Sequence, residues 1–251
     1  MSKRFPTVST RGFYCLKSGA RLGLSKVKYR LWPKSVLNKI NHKKDVTIVV
    51  HGFRNNSKGA LEKFKNFAQK STSLGYKGVI LGFSYDANII GCRHKEKVFY
   101  ALIIGNKVAR ENGKKHLYQL LLDLKKQNED IKIRLVGHSM GSVVVLWALR
   151  QLANRKNSQY FIESVAFFGS NLTNEVSRFS RELDSVVRRK IKNYYCKKDV
   201  ALLQASGPKQ QISPIGLVGV KGKKPKKLLQ IHLKAPEHRF RYYLRALKAY
   251  P

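Results

Sequence analysis

Apolar residues recur along this chain in two rhythms, and the rhythms alternate. Short runs that are apolar on both faces lie at 45–50 (DVTIVV), 78–84 (GVILGFS), 164–168 (SVAFF) and 191–196. Runs of that kind fit buried parallel strands, because neither face has to meet water. Ile131, Ile133 and Leu135 add an alternating strand, and LLQIHL at 228–233 a last one. Between them the spacing turns helical. Leu61, Phe64, Phe67 and Ala68 mark a helix over 61–73 that Gly75 stops, and further helices are expected over 96–112 and, past Gly113, over 117–127. An apolar helix follows residue 141, a basic and polar one covers 173–189, and a terminal one covers 240–249. The stretch 207–227, rich in Gly, Pro and Lys, reads as a surface loop with at most a short helix. Strands alternating with helices predict an α/β fold: a mostly parallel, doubly wound sheet with helices on both faces. A length of 251 residues suits one core, so we expect a single domain over 45–251 with a basic segment, 1–44, packed on it. That segment carries Gly12, Gly19 and Gly23 between short apolar stretches, and one or two edge strands are expected within 12–32, ended by Pro33.

Charge changes the picture more than composition does. With 43% hydrophobic residues the chain is globular, yet 51 Lys and Arg against 14 Asp and Glu give a formal +37. Self-repulsion on that scale opposes folding unless anions neutralise it, so contact with nucleic acid or an anionic membrane is an expected partner class. Clusters such as KGKKPKK at 221–227 and RRKIK at 188–192 carry that expectation. No nucleic-acid-binding module is recognisable. Cys15, Cys92 and Cys196 lack metal-ligand spacing and cannot all pair, which fits buried thiols in a reducing interior. No apolar window is long enough to cross a bilayer and no apolar signal core opens the chain, so the expected location is the cytoplasm. Residues 1–44 hold no Asp or Glu, a composition shared with organelle transit peptides. Leu22, Leu24, Val27, Tyr29, Leu31 and Trp32 nevertheless read as strand and core material, favouring a folded segment.

The chemistry concentrates at 131–152, IKIRLVGHSMGSVVVLWALRQL. A strand runs into Gly137-His138-Ser139-Met140-Gly141 and straight on into a helix, the setting of a G-x-S-x-G nucleophile elbow. A serine hydroxyl has little acidity at neutral pH and must be lifted clear of its neighbours toward a base. Glycines at 137 and 141 leave room for the turn, and a helix N-terminus points N–H groups at developing negative charge.

VVHGF at 49–53, VGHSMGS at 136–142, YYCKKDVAL at 194–202 and PEHRFRYYL at 236–244 together resemble the α/β-hydrolase superfamily, specifically its compact lipase-like and esterase-like members. In that family the triad runs Ser, acid, His along the chain, which implies Ser139 as nucleophile, Asp199 as acid and His238 as base. The resemblance also implies backbone N–H donors at Phe53 and Met140 forming an oxyanion hole, with His51, Gly52, Gly137, His138 and Gly141 shaping the site. Asp199 sits just past a strand end, with Val200 and Leu202 expected to anchor its loop in the core. Asp184 and Asp86 are rival acids, Asp86 otherwise lining the pocket. Of the other histidines, His232 reads as a core residue and His42, His94 and His116 as solvated. The reaction implied is cleavage of a small-molecule or lipid ester through an acyl-enzyme, with a minimal cap and no metal or organic cofactor. The superfamily also contains acyltransferases, thioesterases and inactive members, so a scaffold that only binds nucleic acid or an anionic surface is the alternative.

Overall fold

The computed structural model describes residues 5–23, 28–40, 42–156, 159–206, 213–234 and 237–251. Eight strands form one sheet in the order β2-β1-β4-β3-β5-β6-β7-β8. They are β1 (Thr7–Ser9), β2 (Arg30–Trp32), β3 (Asp45–Val50), β4 (Val79–Ser84), β5 (Lys132–His138), β6 (Ile162–Phe168), β7 (Val187–Tyr195) and β8 (Leu228–His232). Among the described residues β2 is the one strand of this sheet that runs antiparallel to its neighbour; the other strand pairings are parallel. The helices are α1 (Val36–Ile40), α2 (Ser57–Ser73), α3 (Val98–Glu111), α4 (Tyr118–Gln127), α5 (Gly141–Ala153), α6 (Glu175–Arg178), α7 (Ser180–Val186), α8 (Val200–Ser206), α9 (Ile215–Val218) and α10 (Phe240–Arg245).

The central strands alternate their side chains between two apolar layers, as a pleated strand must. Ile48, Val50, Leu135, Val165 and Phe167 face one layer, with residues of α3, α4 and α5. Val49, Val136, Ala166 and Phe168 face the other, with Phe64 and Phe67 of α2 and Phe240 and Tyr243 of α10. Chain order places β4 on one side of β3 and β5 on the other. The C-terminal ends of β3 and β5 are therefore a topological switch point, where such sheets hold their ligands. Between β6 and β7 only the short α6 and α7 intervene, so little covers that edge. Among the described residues no helix is long and apolar enough to cross a membrane.

Several expectations need correction. The edge strand expected within 12–32 is β2, but its inner neighbour β1, at Thr7–Ser9, lies before that window, and Leu22 and Trp32 are exposed rather than core. Leu24 and Val27 lie outside the described residues, as do 207–212 of the expected loop and Pro236 of the last motif. Gly113 does not separate two helices: a wide π turn over Asn112–Leu117 joins α3 to α4. A Cβ at 113 would press on the Val144 carbonyl and sit 2.9 Å from Trp147 Cβ, so the wide turn lets this segment lie against the α5 backbone. The helix expected over 173–189 ends at Val186. Its last residues join β7, because Val187 pairs with Ile162 and Glu163 draws Arg188 and Arg189 to the strand, each at 3.8 Å.

Candidate active site

Three side chains from separate loops meet above the C-terminal ends of β5, β7 and β8. Ser139 follows β5 directly and holds φ at 53°, in the left-handed region that costs a residue bearing a Cβ about 1–3 kcal/mol. What holds it there is close backbone packing on every side. A Cβ at Gly137 would lie 2.7 Å from Ser142 Cα, one at Gly141 would collide with the Val50 carbonyl, and one at Gly52 would sit 2.8 Å from Ser139 Cβ. The Ser139 N–H donates to the Phe168 carbonyl at 2.9 Å, tying the turn to β6.

His238, between β8 and α10, places Nε2 2.8 Å from Ser139 Oγ, and its Nδ1 lies 2.7 Å from Asp199 Oδ2. Asp199 is fully buried just past β7, where its carboxylate also accepts from Tyr243 Oη at 2.7 Å and from the Leu202 N–H at 3.1 Å. Burial alone would raise its pKa. The hydrogen bonds and charge of His238, then Tyr243 and the Leu202 N–H, outweigh burial and hold it below the ordinary carboxylate range. The acid is thus ionised and aimed at the imidazole. Leu202 anchors this loop as expected, whereas Val200 is exposed.

His138 does more than shape the turn. It is buried, its ring stacks on Phe240 at 4.8 Å, and its Nε2 lies 2.9 Å from the His238 carbonyl. A carbonyl can only accept, so Nε2 carries the proton and Nδ1, which has no partner among the described residues, does not. Burial, reinforced by nearby His238 and Lys63, holds His138 far below the usual imidazole range, so it stays the neutral donor. Through that bond the elbow grips the backbone of the residue that faces its own serine.

The loop after β3 is fixed from behind. His51 is buried and kept neutral chiefly by burial, then by Arg11. Its Nδ1 lies 2.9 Å from the Gly52 carbonyl, while Nε2 accepts the Tyr85 N–H at 3.2 Å. Asn55 Nδ2 also donates to the Gly52 carbonyl, at 2.8 Å, and Lys63 Nζ donates to Asn55 Oδ1. With that carbonyl pinned, the trans peptide turns the Phe53 N–H the opposite way. Among the described residues neither the Phe53 nor the Met140 N–H donates to another protein group. A Cβ at Gly105 of α3 would fall 2.8 Å from the Phe53 ring and 3.0 Å from Met140 Sδ, so both side chains lean on bare helix backbone.

These groups border a cleft of about 510 Å³ that also meets Val200, Ala201 and Gln204 of α8. Arg54, Lys63 and Arg239 on its walls outnumber the one carboxylate, Glu237. The rival acids are elsewhere. The Asp86 carboxylate accepts the N–H groups of Gly12, Phe13 and Tyr14, and Asp184 accepts those of Lys226 and Lys227. His42 and His94 are exposed as expected. His232 is exposed on the edge strand rather than buried. His116 is buried rather than solvated, held between Tyr14 Oη and the Lys28 carbonyl. Among the described residues no group of three or more His, Cys, Asp or Glu could hold a metal ion.

Sequence reasoning missed Tyr243, Asn55, Lys63, Gly105 and Arg11. Tyr243, Gly105 and Arg11 act across long stretches of chain and leave no local pattern, whereas Asn55 sits inside the polar loop that closes β3 and Lys63 reaches it from eight residues on.

Among solved structures the chain is similar to the esterase domain of a Rhodothermus marinus protein, 14% identical with a TM-score of 0.43 over 80% of this chain and 81% of that one. It is also similar to a cutinase-like protein from Cryptococcus sp., 15% identical with a TM-score of 0.39 over 76% and 77% of the two chains. An acetylxylan esterase is 12% identical with a TM-score of 0.42 over 80% and 90%. No curated protein sequence matches significantly. Residues 30–233 match the family described as "Alpha/beta hydrolase of unknown function (DUF900)", a span that holds Ser139 and Asp199 and stops five residues short of His238. The chain belongs to that alpha/beta hydrolase family.

Proposed function

We propose that this protein is a serine hydrolase of carboxylic esters. The observation that carries the reading is the continuous hydrogen-bonded path Ser139 Oγ, His238 Nε2, His238 Nδ1, Asp199 Oδ2, with contacts of 2.8 and 2.7 Å. In this reading Ser139 Oγ attacks the ester carbonyl while its proton passes to His238 Nε2. Negative charge gathers on the former carbonyl oxygen, met by the Phe53 and Met140 N–H groups. The tetrahedral species collapses, the C–O bond breaks, and the alcohol leaves with the proton from His238. Water, deprotonated by the same imidazole, then attacks the acyl-serine and frees the acid. Asp199 fixes the imidazole tautomer and stabilises its charged form. The cationic walls of the cleft favour an ester that carries a negative group, and a lipid ester fits the lightly covered site as well as a small one.

Hydrolysis of p-nitrophenyl esters of graded chain length tests the proposal. The native protein should turn over at least one member and Ser139→Ala none; a native protein without turnover on the whole panel, or an equally active Ser139→Ala, refutes it. A second reading, a scaffold that holds nucleic acid or an anionic membrane, draws on the exposed lysines at 221, 223, 224 and 226. Binding that falls steeply with salt supports it, and binding indifferent to salt rejects it.

A further inference from the structure

A second cavity, of about 590 Å³, opens on the other side of the loop that follows β3. Phe5, Leu31, Trp32, Leu61 and Phe64 supply its apolar wall. Among the described residues its charged groups are all cationic: Arg11, and the exposed Arg30 and Lys65 at the rim, with no carboxylate on the lining.

Arg11 is the informative residue. Its Nε donates to Ser84 Oγ at 2.6 Å and one terminal nitrogen donates to the Asn55 carbonyl at 3.0 Å and approaches His51 Nε2 at 3.2 Å. The other terminal nitrogen has no partner, and no carboxylate lies within ion-pair distance, among the described residues. Arg11 is half-buried, and Asp86 offsets its charge from a distance without forming an ion pair, so an anion that meets the free nitrogen directly adds to a compensation that is only partial. Guanidinium nitrogens suit planar or tetrahedral oxyanions, while the apolar wall beside them suits a hydrocarbon chain. We propose that this cavity binds an anionic amphiphile, its headgroup on Arg11 with Arg30 and Lys65 at the mouth, and its chain against Leu61, Phe64 and Trp32. Because Arg11 also holds the Asn55 carbonyl and the His51 ring, the ligand abuts the scaffold of the loop that carries Phe53.

Trp32 lies on the cavity wall and the chain has only 2 tryptophans, so its emission reports occupancy. The full chain is titrated with octanoate, octyl phosphate, octyl glucoside and inorganic phosphate, with calorimetry in parallel. Octanoate or octyl phosphate should shift the emission saturably at one equivalent, and which binds tighter tells a carboxylate from a phosphate headgroup. Octyl glucoside and inorganic phosphate should each bind at least about tenfold more weakly, since each lacks half of the recognition. Arg11→Gln should weaken the amphiphile roughly tenfold or more. Should that variant not fold, Lys65→Glu at the exposed rim decides, with an expected loss of about fivefold. The proposal fails if neither anionic amphiphile beats octyl glucoside, if uptake is unsaturable as for adsorption to a basic surface, or if folded variants bind as the native protein does. Ser139 plays no part in the readout, so binding by a protein without esterase activity would sink the hydrolase reading and leave this site standing.

Discussion

Tyr243→Phe isolates what the acid needs in order to serve the base. The ring is fully buried and its hydroxyl donates to Asp199 Oδ2 at 2.7 Å, the same oxygen that faces His238 Nδ1. Removing only the hydroxyl keeps the packing and leaves Asp199 with the imidazole and the Leu202 N–H at 3.1 Å. A hydrogen bond to a charged acceptor contributes about 2 kcal/mol, which in a chain of this size lowers Tm by roughly 4–8 °C. The carboxylate, freer to turn on its Cβ, should also hold the imidazole less well, and a loss of about 1.4 kcal/mol in the transition state is a tenfold drop in rate. Asp199→Asn should be far worse, on the order of 10⁴, because the amide presents a donor where the imidazole needs an acceptor. The assay is the second-order rate of fluorophosphonate labelling, measured at a temperature where every variant is folded, with thermal melts alongside. If Tyr243→Phe melts lower but labels at the native rate, the phenol only braces α10 and its positioning role is wrong. If it neither melts lower nor labels more slowly, the hydrogen bond itself is unimportant.

Other expectations follow from the same geometry. His138→Leu removes the donor that grips the His238 carbonyl, and labelling of the folded variant should slow roughly tenfold; an unchanged rate confines His138 to packing. Gly52→Ala sets a methyl 2.8 Å from Ser139 Cβ, and the shift of roughly 1 Å that relieves this contact costs about 100-fold in labelling; a tolerated alanine contradicts the claimed close approach. His51, His116 and His138 are each held below the normal imidazole range, mainly by burial, so the unfolded chain binds more protons. Stability should therefore be complete above about pH 6.5 and fall below it, at up to about 1.4 kcal/mol per pH unit for each. Urea midpoints across pH 5 to 7 read this slope, and a flat profile refutes the neutral assignments. The depressed Asp199 pKa adds a loss only at lower pH, as the carboxylate takes a proton that the unfolded chain takes first.

The sheet was legible where burial is two-sided. β3 and β6 stand near their expected positions because each is covered on both faces, so local composition and tertiary role agree, and β5 shows by the alternation of Ile133 and Leu135 with the less buried Lys132 and Arg134. The elbow was legible for a related reason: a serine forced to φ 53° needs glycines around it, and glycines show in a sequence. Partnerships across the chain were not legible. His116 looks solvated beside Lys114 and Lys115 until Tyr14, 102 residues away, and the Lys28 carbonyl close over it. Residues 187–189 look helical until β6 supplies the ladder and Glu163 the charge. His232 looks buried until β8 proves to be the edge of the sheet. Arg11 offers no signal at all: it is one cation among 51 lysines and arginines, and only the fold places its guanidinium beneath the loop after β3.

Intact-mass analysis of the native protein after reaction with a fluorophosphonate, followed by peptide mapping, shows whether Ser139 is the nucleophile. One adduct per chain is expected, mapped to Ser139, absent from Ser139→Ala and slowed by orders of magnitude in His238→Ala and Asp199→Asn. A folded protein that takes up no probe, or an adduct on any other residue, contradicts that role.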